Sequence, residues 1–522
     1  MKRLIPIVAA LAASAASAAP PAGFDARVEA LRASTGVPGL AITIVEDGRV
    51  TLARGYGVRR IDRPDPVDAD TIFMTGSTGK AVTTAALATL VDAGKLRWDD
   101  KVTDRLPGFQ MYDPWVTREM TIRDLLVHNS GLGLGAGDLM IVPRGILPRA
   151  EVVRRLRFIK PATSFRSGYA YDNVLYVVAG QLIEAVSGQT YEDYVREHVF
   201  KPAGMVRATS DAEHRIATPN RAQPHARLGA VRGLGDLRMI DERDELSPAS
   251  TPAGLLAMSA NDLGRWIQIQ LAHGAIPGGG RLFSEAASTE MWTPRTIEPV
   301  NPAPPELAGT QANYQNYALG WEVRDYHGAR VVWHAGGVFG YTTVVVLIPE
   351  KNVGFAITQN SEDGPVRMGL MYELLDHYLG VPAQDWPSKY AAYVKRRLGA
   401  SAATVAERST KPAPVGPSLA LARYAGAYED AWYGKVLIGQ DPKGLTIDFT
   451  NTPRMTGRLT HWQYDSFIAR FDDPGIEPAY VSFTLDAEGK VGSARMKAVS
   501  PTADFSFDYH DLLLVPKAPA PK

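Results

Sequence analysis

The periodicity of apolar residues changes three times along this 522-residue chain, and the order of those changes limits the folds open to it. "GLAITIVEDGRVTLARGYG" (39–57) contains two β-rich runs around Asp47-Gly48, a pair that suits the left-handed positions of a tight hairpin. The pattern then becomes helical, at 77–96, at "MTIRDLLVH" (120–128) and at "NVLYVVAGQLIEAVSG" (173–188). Strand patterns return at 317–337 and 340–360 and lead into the helical "RMGLMYELLDHYLG" (367–380). Strands thus begin and end this unit while helices fill its middle. The expected fold is α+β, with one antiparallel sheet built from both ends of the domain. Residues 134–166 and 206–250 are less regular and read as loops that form a site.

The third change follows a connector over 383–417, in which the charged helical "KYAAYVKRRLG" precedes the Pro-rich "STKPAPVGPS". Beyond it, "KVLIG", "LTIDF", "SFIARF", "YVSFTLD", "VGSARMKAV" and "FSFDYH" alternate in the manner of short strands between turns, which predicts a small all-β barrel or sandwich. The expected organisation is a segment 1–18, a domain over 24–382, the linker 383–417 and a β-barrel domain over 418–516.

Residues 1–18 read as a secretory signal. "MKR" is basic, "LIPIVAALAA" is apolar, and Ala16-Ser17-Ala18 fits an A-x-A cleavage site, with Ala13-Ser14-Ala15 as second choice. The apolar run is too short to span a bilayer, so an exported, periplasmic or secreted protein without membrane insertion is expected. Lys plus Arg and Asp plus Glu both number 56, which offers no basic surface for nucleic acid. The chain has no cysteine, and disulfides, thiol catalysis and Cys-based metal sites are excluded. There is no H-E-x-x-H and no dense Asp/Glu/His group, so neither metal nor cofactor is expected.

"TGSTGKAVTTAAL" (75–87) admits two chemistries. A phosphate-binding loop requires G-x-x-x-x-G-K-[ST], but Met74 stands at the first glycine position and Ala81 follows Lys80. The other reading is S-x-x-K. Ser77 and Lys80 share a helix face, so a neutral Lys80 amine can take the proton that makes the Ser77 hydroxyl a poor nucleophile. The duller explanation of the same residues is a capping serine followed by a solvated lysine. Context decides between them: Tyr171-Asp172-Asn173 precedes a helix, and His334-Ala335-Gly336-Gly337 ends a strand. A second Y-x-N, Tyr314-Gln315-Asn316, lies in the wrong order and reads as packing, and His128 reads as structural. G-x-S-x-G is absent, which argues against an α/β-hydrolase.

S-x-x-K, Y-x-N and H-x-G in this order resemble the serine β-lactamase and penicillin-binding-protein superfamily. The likeness is to the branch of class C β-lactamases, D-Ala-D-Ala carboxypeptidases and D-aminopeptidases. "LLVHNSGL" (125–132), "SPASTPAGLLAMSANDLGRW" (247–266) and "LGWEV" (319–323) carry the same resemblance, which covers about 24–382. It implies an acyl-enzyme on Ser77, with Lys80 lowering the cost of removing its proton and Tyr171 relaying protons as a phenolate favoured by Lys80. It implies that Asn173 donates to the substrate amide, and that the Ser77 and Gly337 N–H groups form an oxyanion hole beside Gly336. His334 stands where relatives carry the lysine of K-T-G, and lacks that fixed charge for a substrate carboxylate. The implied activity therefore leans to a peptidase on short or D-amino-acid-containing peptides. Esterase or β-lactamase activity, and a non-catalytic sensor, are the alternatives. The expected partner is a small peptide or acyl substrate. "YAGAY…WYGKVLI" and "LTHWQYDSFIARF" resemble the lipocalin-like domain of some peptidases of this branch, which implies control of access or a homo-oligomer rather than chemistry.

Overall fold

The computed structural model describes residues 20–241, 247–409 and 415–517. The signal reading of 1–18 and half of the Pro-rich stretch, at 410–414, lie outside the described residues. No helix among the described residues is long and apolar enough to cross a membrane.

The first domain is built on a nine-stranded antiparallel sheet. Its strands are β1 (Gly39–Glu46), β2 (Arg49–Arg60), β3 (Arg63–Pro66), β4 (Thr296–Ile297), β5 (Gln315–Tyr317), β6 (Glu322–Tyr326), β7 (Ala329–Val338), β8 (Tyr341–Ile348) and β9 (Val353–Gln359), in the order β3-β2-β1-β9-β8-β7-β6-β5-β4. Asp47 and Gly48 both adopt positive φ between β1 and β2, as the hairpin requires. The sheet joins the N-terminal hairpin to the strands that follow the helical middle, with Ile42 opposite Ile357 and Val344 opposite the same residue. The "VVVLI" run of β8 does not alternate because both faces of the sheet are covered. Val344 and Val346 pack with Phe24, Val28 and Leu370, while Val345 and Leu347 pack with Trp266 and Ile267.

The helical middle stands beside the sheet around α1 (Lys80–Asp92) and α2 (Val174–Ser187). α1 is apolar or small on every side and is buried from Lys80 through Ala88, which marks it as a core helix rather than an amphipathic surface one. "MTIRDLLVH" departs from the expected helix and forms a single 3₁₀ turn, Arg123–Leu126. Asp124 accepts from the Thr121 backbone and hydroxyl and from the Arg166 guanidinium, which competes with helical hydrogen bonding, and His128 then reverses the chain at φ +54°. The loop 206–250 contains a short hairpin, His225–Leu228 with Arg232–Met239.

α3 (Gly364–Leu379) packs on the sheet and α4 (Trp386–Ser409) packs on α3. The sequence places α4 in a connector, yet its start is part of the core. Trp386 is fully buried, donates from its indole to Asp376 (2.7 Å) and packs on Tyr372. Strands from Gly426–Asp430 to Leu513–Pro516 then close an eight-stranded antiparallel barrel around Tyr428, Tyr433, Phe449, Phe467 and Phe483.

"FSFDYH" is not a strand. Residues 500–511 run as turns that end in a 3₁₀ turn at Tyr509–Asp511, and they lie against the first domain. Phe507 stacks on Phe339, and the Asp504 side chain caps the Ser506 N–H. The apolar–polar alternation here reflects contact with the first domain rather than pairing within a sheet. The buried apolar residues of the helical middle and the barrel consequently form one continuous cluster.

Replacing Trp386 by alanine removes a buried ring and its hydrogen bond, and is expected to destabilise the first domain by about 3–5 kcal/mol. A urea titration followed by far-UV circular dichroism measures this. A loss below about 1 kcal/mol would show that α4 is an appendage to the core.

Candidate active site

Ser77 lies on a 3₁₀ turn, Gly76–Gly79, that continues directly into α1, so the i, i+3 pair is held on one face. The Lys80 ammonium nitrogen is 3.1 Å from Ser77 Oγ, 2.7 Å from Asn173 Oδ1 and 2.8 Å from the Ala253 carbonyl. These three contacts fix the amine, and the rings of Tyr171 and Tyr176 lie 4.7 and 5.1 Å from it. Lys80 is wholly buried, whereas Ser77 and Asn173 are partly exposed; Tyr171 is partly exposed too, but its hydroxyl is buried. The competing explanation of S-x-x-K required a solvated lysine, and the lysine is not solvated.

Burial lowers the Lys80 amine from an ordinary 10.5 to about 7, against the pull of Asp138 and Asp172. The phenolate expected at Tyr171 requires a similar fall, and the structure does the reverse. Burial pushes the phenol well above its usual value, against a smaller opposing pull from Ser77, and its hydroxyl has no hydrogen-bond partner among the described residues. A Tyr171 phenolate is therefore disfavoured here. The Tyr171 ring is held by His128, whose ring is 4.2 Å away and packs on Tyr317 at 4.3 Å. His128 Nδ1 accepts from the Asp172 N–H, and burial keeps the imidazole neutral. These contacts make His128 a structural residue.

The third segment arrives on β7. A Cβ on Gly336 would come 2.0 Å from the Thr75 carbonyl oxygen and 3.0 Å from the Ser77 nitrogen, so only glycine lets β7 run this close to the nucleophile turn. Gly76, at φ +56°, is equally constrained, since a Cβ there would come 2.6 Å from the Gly337 nitrogen. The Ser77 and Gly337 backbones are thereby brought together, and Gly337 is exposed. His334 is buried beneath them. Its Nε2 is 2.8 Å from the Tyr317 hydroxyl and its Nδ1 is 2.6 Å from the Ala335 carbonyl, so both ring nitrogens are engaged. Burial takes the imidazole down to about 3, and the position carries no positive charge at neutral pH.

Sequence reasoning missed four residues of this centre. Tyr317, just after the misplaced Y-x-N, holds His334. Asp138, wholly buried, accepts 2.8 Å hydrogen bonds from Asn173 Nδ2 and from the Ser506 hydroxyl of the barrel domain. Phe505 packs edge-on to the Tyr171 ring at 5.9 Å. No local motif marks any of them, because each acts across a gap of many residues. Asp508, His510 and Asp511 form a group whose ligand atoms lie within 4.8 Å of one another, denser than the sequence suggested. A cavity of about 590 Å³ is lined by Val338, Met74, Leu255, Ile146, Leu147 and Arg215.

Residues 24–380 match the Beta-lactamase family, and the chain belongs to that family, whose members are serine hydrolases. Residues 410–516 match a domain of unknown function, DUF3471. The unguisins hydrolase ungD′ of Aspergillus campestris is 28% identical over 422 residues, covering 77% of this chain and 74% of that protein. Penicillin-binding protein 4 of Amycolatopsis lactamdurans is 29% identical over 374 residues, 69% of this chain and 89% of its own. Among solved structures, the octameric penicillin-binding protein homologue from Pyrococcus abyssi superposes with a TM-score of 0.57. It is 21% identical, over 95% of this chain and 99% of that one.

Gly336→Ala tests the closeness of β7. The methyl group must displace the Thr75–Ser77 turn, and a shift near 1 Å at a reacting group lowers rates by about 10². Labelling by a fluorophosphonate probe should slow by at least that factor while circular dichroism stays unchanged. Labelling within about threefold of the parent would mean that β7 has room to spare.

Proposed function

We propose that this chain is an exported serine hydrolase that forms an acyl-enzyme on Ser77 and acts as a peptidase on short or D-amino-acid-containing peptides. The observation that carries the reading is the desolvated Lys80 amine 3.1 Å from Ser77 Oγ, with a pKa near 7. A group of that pKa is well matched to general-base work at neutral pH.

In this reading the neutral Lys80 amine accepts the Ser77 hydroxyl proton as Oγ bonds to the substrate carbonyl carbon. The carbonyl oxygen becomes an oxyanion and accepts from the Ser77 and Gly337 N–H groups, each donor worth roughly 3 kcal/mol. Collapse of this intermediate breaks the bond to the leaving amine. Tyr171 acts as a neutral relay: its hydroxyl gives a proton to the leaving nitrogen and takes one from the Lys80 ammonium. Water then attacks the Ser77 ester with Lys80 again as base, which releases the acid and restores the serine. Asn173 holds Lys80 through Oδ1 and keeps one N–H for the substrate amide.

The substrate class follows from position 334. A neutral, fully engaged His334 gives a terminal carboxylate no fixed cation, which disfavours β-lactams and D-Ala-D-Ala termini and favours amide substrates without that charge. The hydrolase and penicillin-binding-protein names of the relatives support the same class of chemistry. In a panel of D- and L-amino-acid amides, short peptides, p-nitrophenyl esters and nitrocefin, the peptide amides should give the highest kcat/KM. Fastest turnover of nitrocefin would make the protein a β-lactamase, and fastest turnover of the esters an esterase. Association into a homo-oligomer belongs to the same proposal, and light scattering tests it.

Ser77→Ala should remove turnover by a factor on the order of 10⁴–10⁶ without unfolding the chain. Absence of fluorophosphonate labelling in the parent protein would instead point to a binding protein that kept the fold.

The pH dependence has a definite sign. Only neutral Lys80 can act as base, so below about 7 the amine is charged and acylation is slow, and the rate rises as pH passes that value. Pre-steady-state acylation by a p-nitrophenyl ester between pH 5 and 10 measures it, and a midpoint near the ordinary lysine value of 10.5 would count against Lys80 as the base.

A further inference from the structure

The barrel domain reaches the candidate base through an unbroken line of hydrogen bonds. The Ser506 hydroxyl donates to Asp138 Oδ2 (2.8 Å), Asn173 Nδ2 donates to the same oxygen (2.8 Å), and Asn173 Oδ1 accepts from Lys80 (2.7 Å). Every polar contact in this line joins a different element: the 500–511 turn, the 3₁₀ turn Asp138–Met140, the start of α2 and the start of α1. The docking of the turn is itself specific. Asp508 Oδ2 accepts from the Gly137 N–H at 2.7 Å, and Gly135, at φ +69°, lies so close to Phe505 that a Cβ would come 2.7 Å from both its ring and its carbonyl oxygen. Asp138 is wholly buried and its Oδ1 has no hydrogen-bond partner, so the two donors on Oδ2 are its only side-chain hydrogen bonds among the described residues.

We infer that Ser506 and Asp138 are positioning residues of the active site, and that the barrel domain tunes the Lys80 base through them. The inference rests on the proposed role of Lys80. Its physical content is a choice of charge state. A buried carboxylate that loses a donor is harder to ionise, and a neutral Asp138 no longer favours the Lys80 ammonium. Burial already holds Asp138 near 7, against the pull of Asn173, Ser506 and Lys80 and with Asp504 adding to the rise. Asp508 feels Asp138 from the same turn and is itself raised to about 10, chiefly by burial. Facing Lys80 are Asp138 and Asp172, which favour its charge, and the rings of Tyr171 and Tyr176. His128 and His334 complete the surroundings and are kept neutral by burial. With so few charges in the enclosure, the state of Asp138 has a direct effect on the amine. This differs from the expectation that the C-terminal domain serves access or assembly alone.

The test uses the full-length protein. Acylation by a p-nitrophenyl ester is followed in a single turnover from pH 5 to 10 for the parent, Ser506→Ala and Asp138→Asn, with thermal melting of each. Ser506→Ala is expected to slow acylation at least about tenfold at pH 7, because the amine is less firmly placed. It should also move the midpoint of the acid limb to lower pH. Asp138→Asn removes the charge outright and should move the midpoint down further, by about one unit. A purely structural role would lower the melting temperature and the rate but leave the midpoint in place. A midpoint in both variants equal to the parent's overturns the inference, whatever the rates do; should Ser506→Ala fail to fold, Asp138→Asn decides alone. If the parent shows no Ser77-dependent acylation, the hydrolase reading has failed instead, so the two failures are distinguishable.

Discussion

The structure of this site depends on the burial of one amine. An isolated ammonium in an apolar enclosure is expensive, and the protein meets that cost by letting the group lose its proton near neutral pH. The enclosure is made by the start of α1, the Ala253 carbonyl, Asn173 and the rings of Tyr171 and Tyr176. Every other feature of the centre follows from keeping those walls in place. Ser77 is the one residue of the 3₁₀ turn ahead of the buried helix that is partly exposed. β7 must pass within glycine distance of that turn, and His128 and His334 must stay neutral, since a second buried cation would push the amine further down.

Much of this was legible in the chain. The two-ended antiparallel sheet could be read from the positions of the hairpin at Asp47-Gly48 and the β-rich runs after residue 317, because period-2 patterns and turn pairs are local signals. The Ser77–Lys80 relation is a one-turn spacing and needs no tertiary information. The approach of Gly336 and Gly337 was legible as a strand ending in small residues. What escaped were effects of burial and of distance. The ionisation of Tyr171 is set by its enclosure rather than by its neighbour Lys80, and no sequence window reports enclosure. Tyr317, Asp138 and Ser506 are joined to the centre only once the chain has folded. "FSFDYH" misled for a related reason: its alternating Phe505, Phe507 and Tyr509 meet a different domain on one side and the barrel core on the other, and alternation alone does not separate that from a strand.

The relation between the two domains changes accordingly. The Pro-rich connector suggested two separate domains joined by a linker. Instead α4 begins inside the first domain, the 500–511 turn packs against Gly135, Gly137 and Tyr171, and Arg155 donates to the Tyr433 carbonyl across the boundary. The exposed Phe505 beside Tyr171 places an aromatic ring from the barrel domain at the rim of the site. The same turn thus contacts both the rim beside Tyr171 and the buried Asp138.

The central claim is that Lys80 titrates near neutrality, and it can be measured without any substrate. Protein labelled with ¹³C at the lysine ε-carbon is titrated by NMR, and the Lys80 signal is assigned as the one lost in Lys80→Met. The account predicts a midpoint close to 7 for that signal, while the solvated lysines titrate near 10.5. A Lys80 signal that titrates with the solvated lysines would contradict it, since an amine still charged at pH 9 cannot be the desolvated base on which this reading of the site rests.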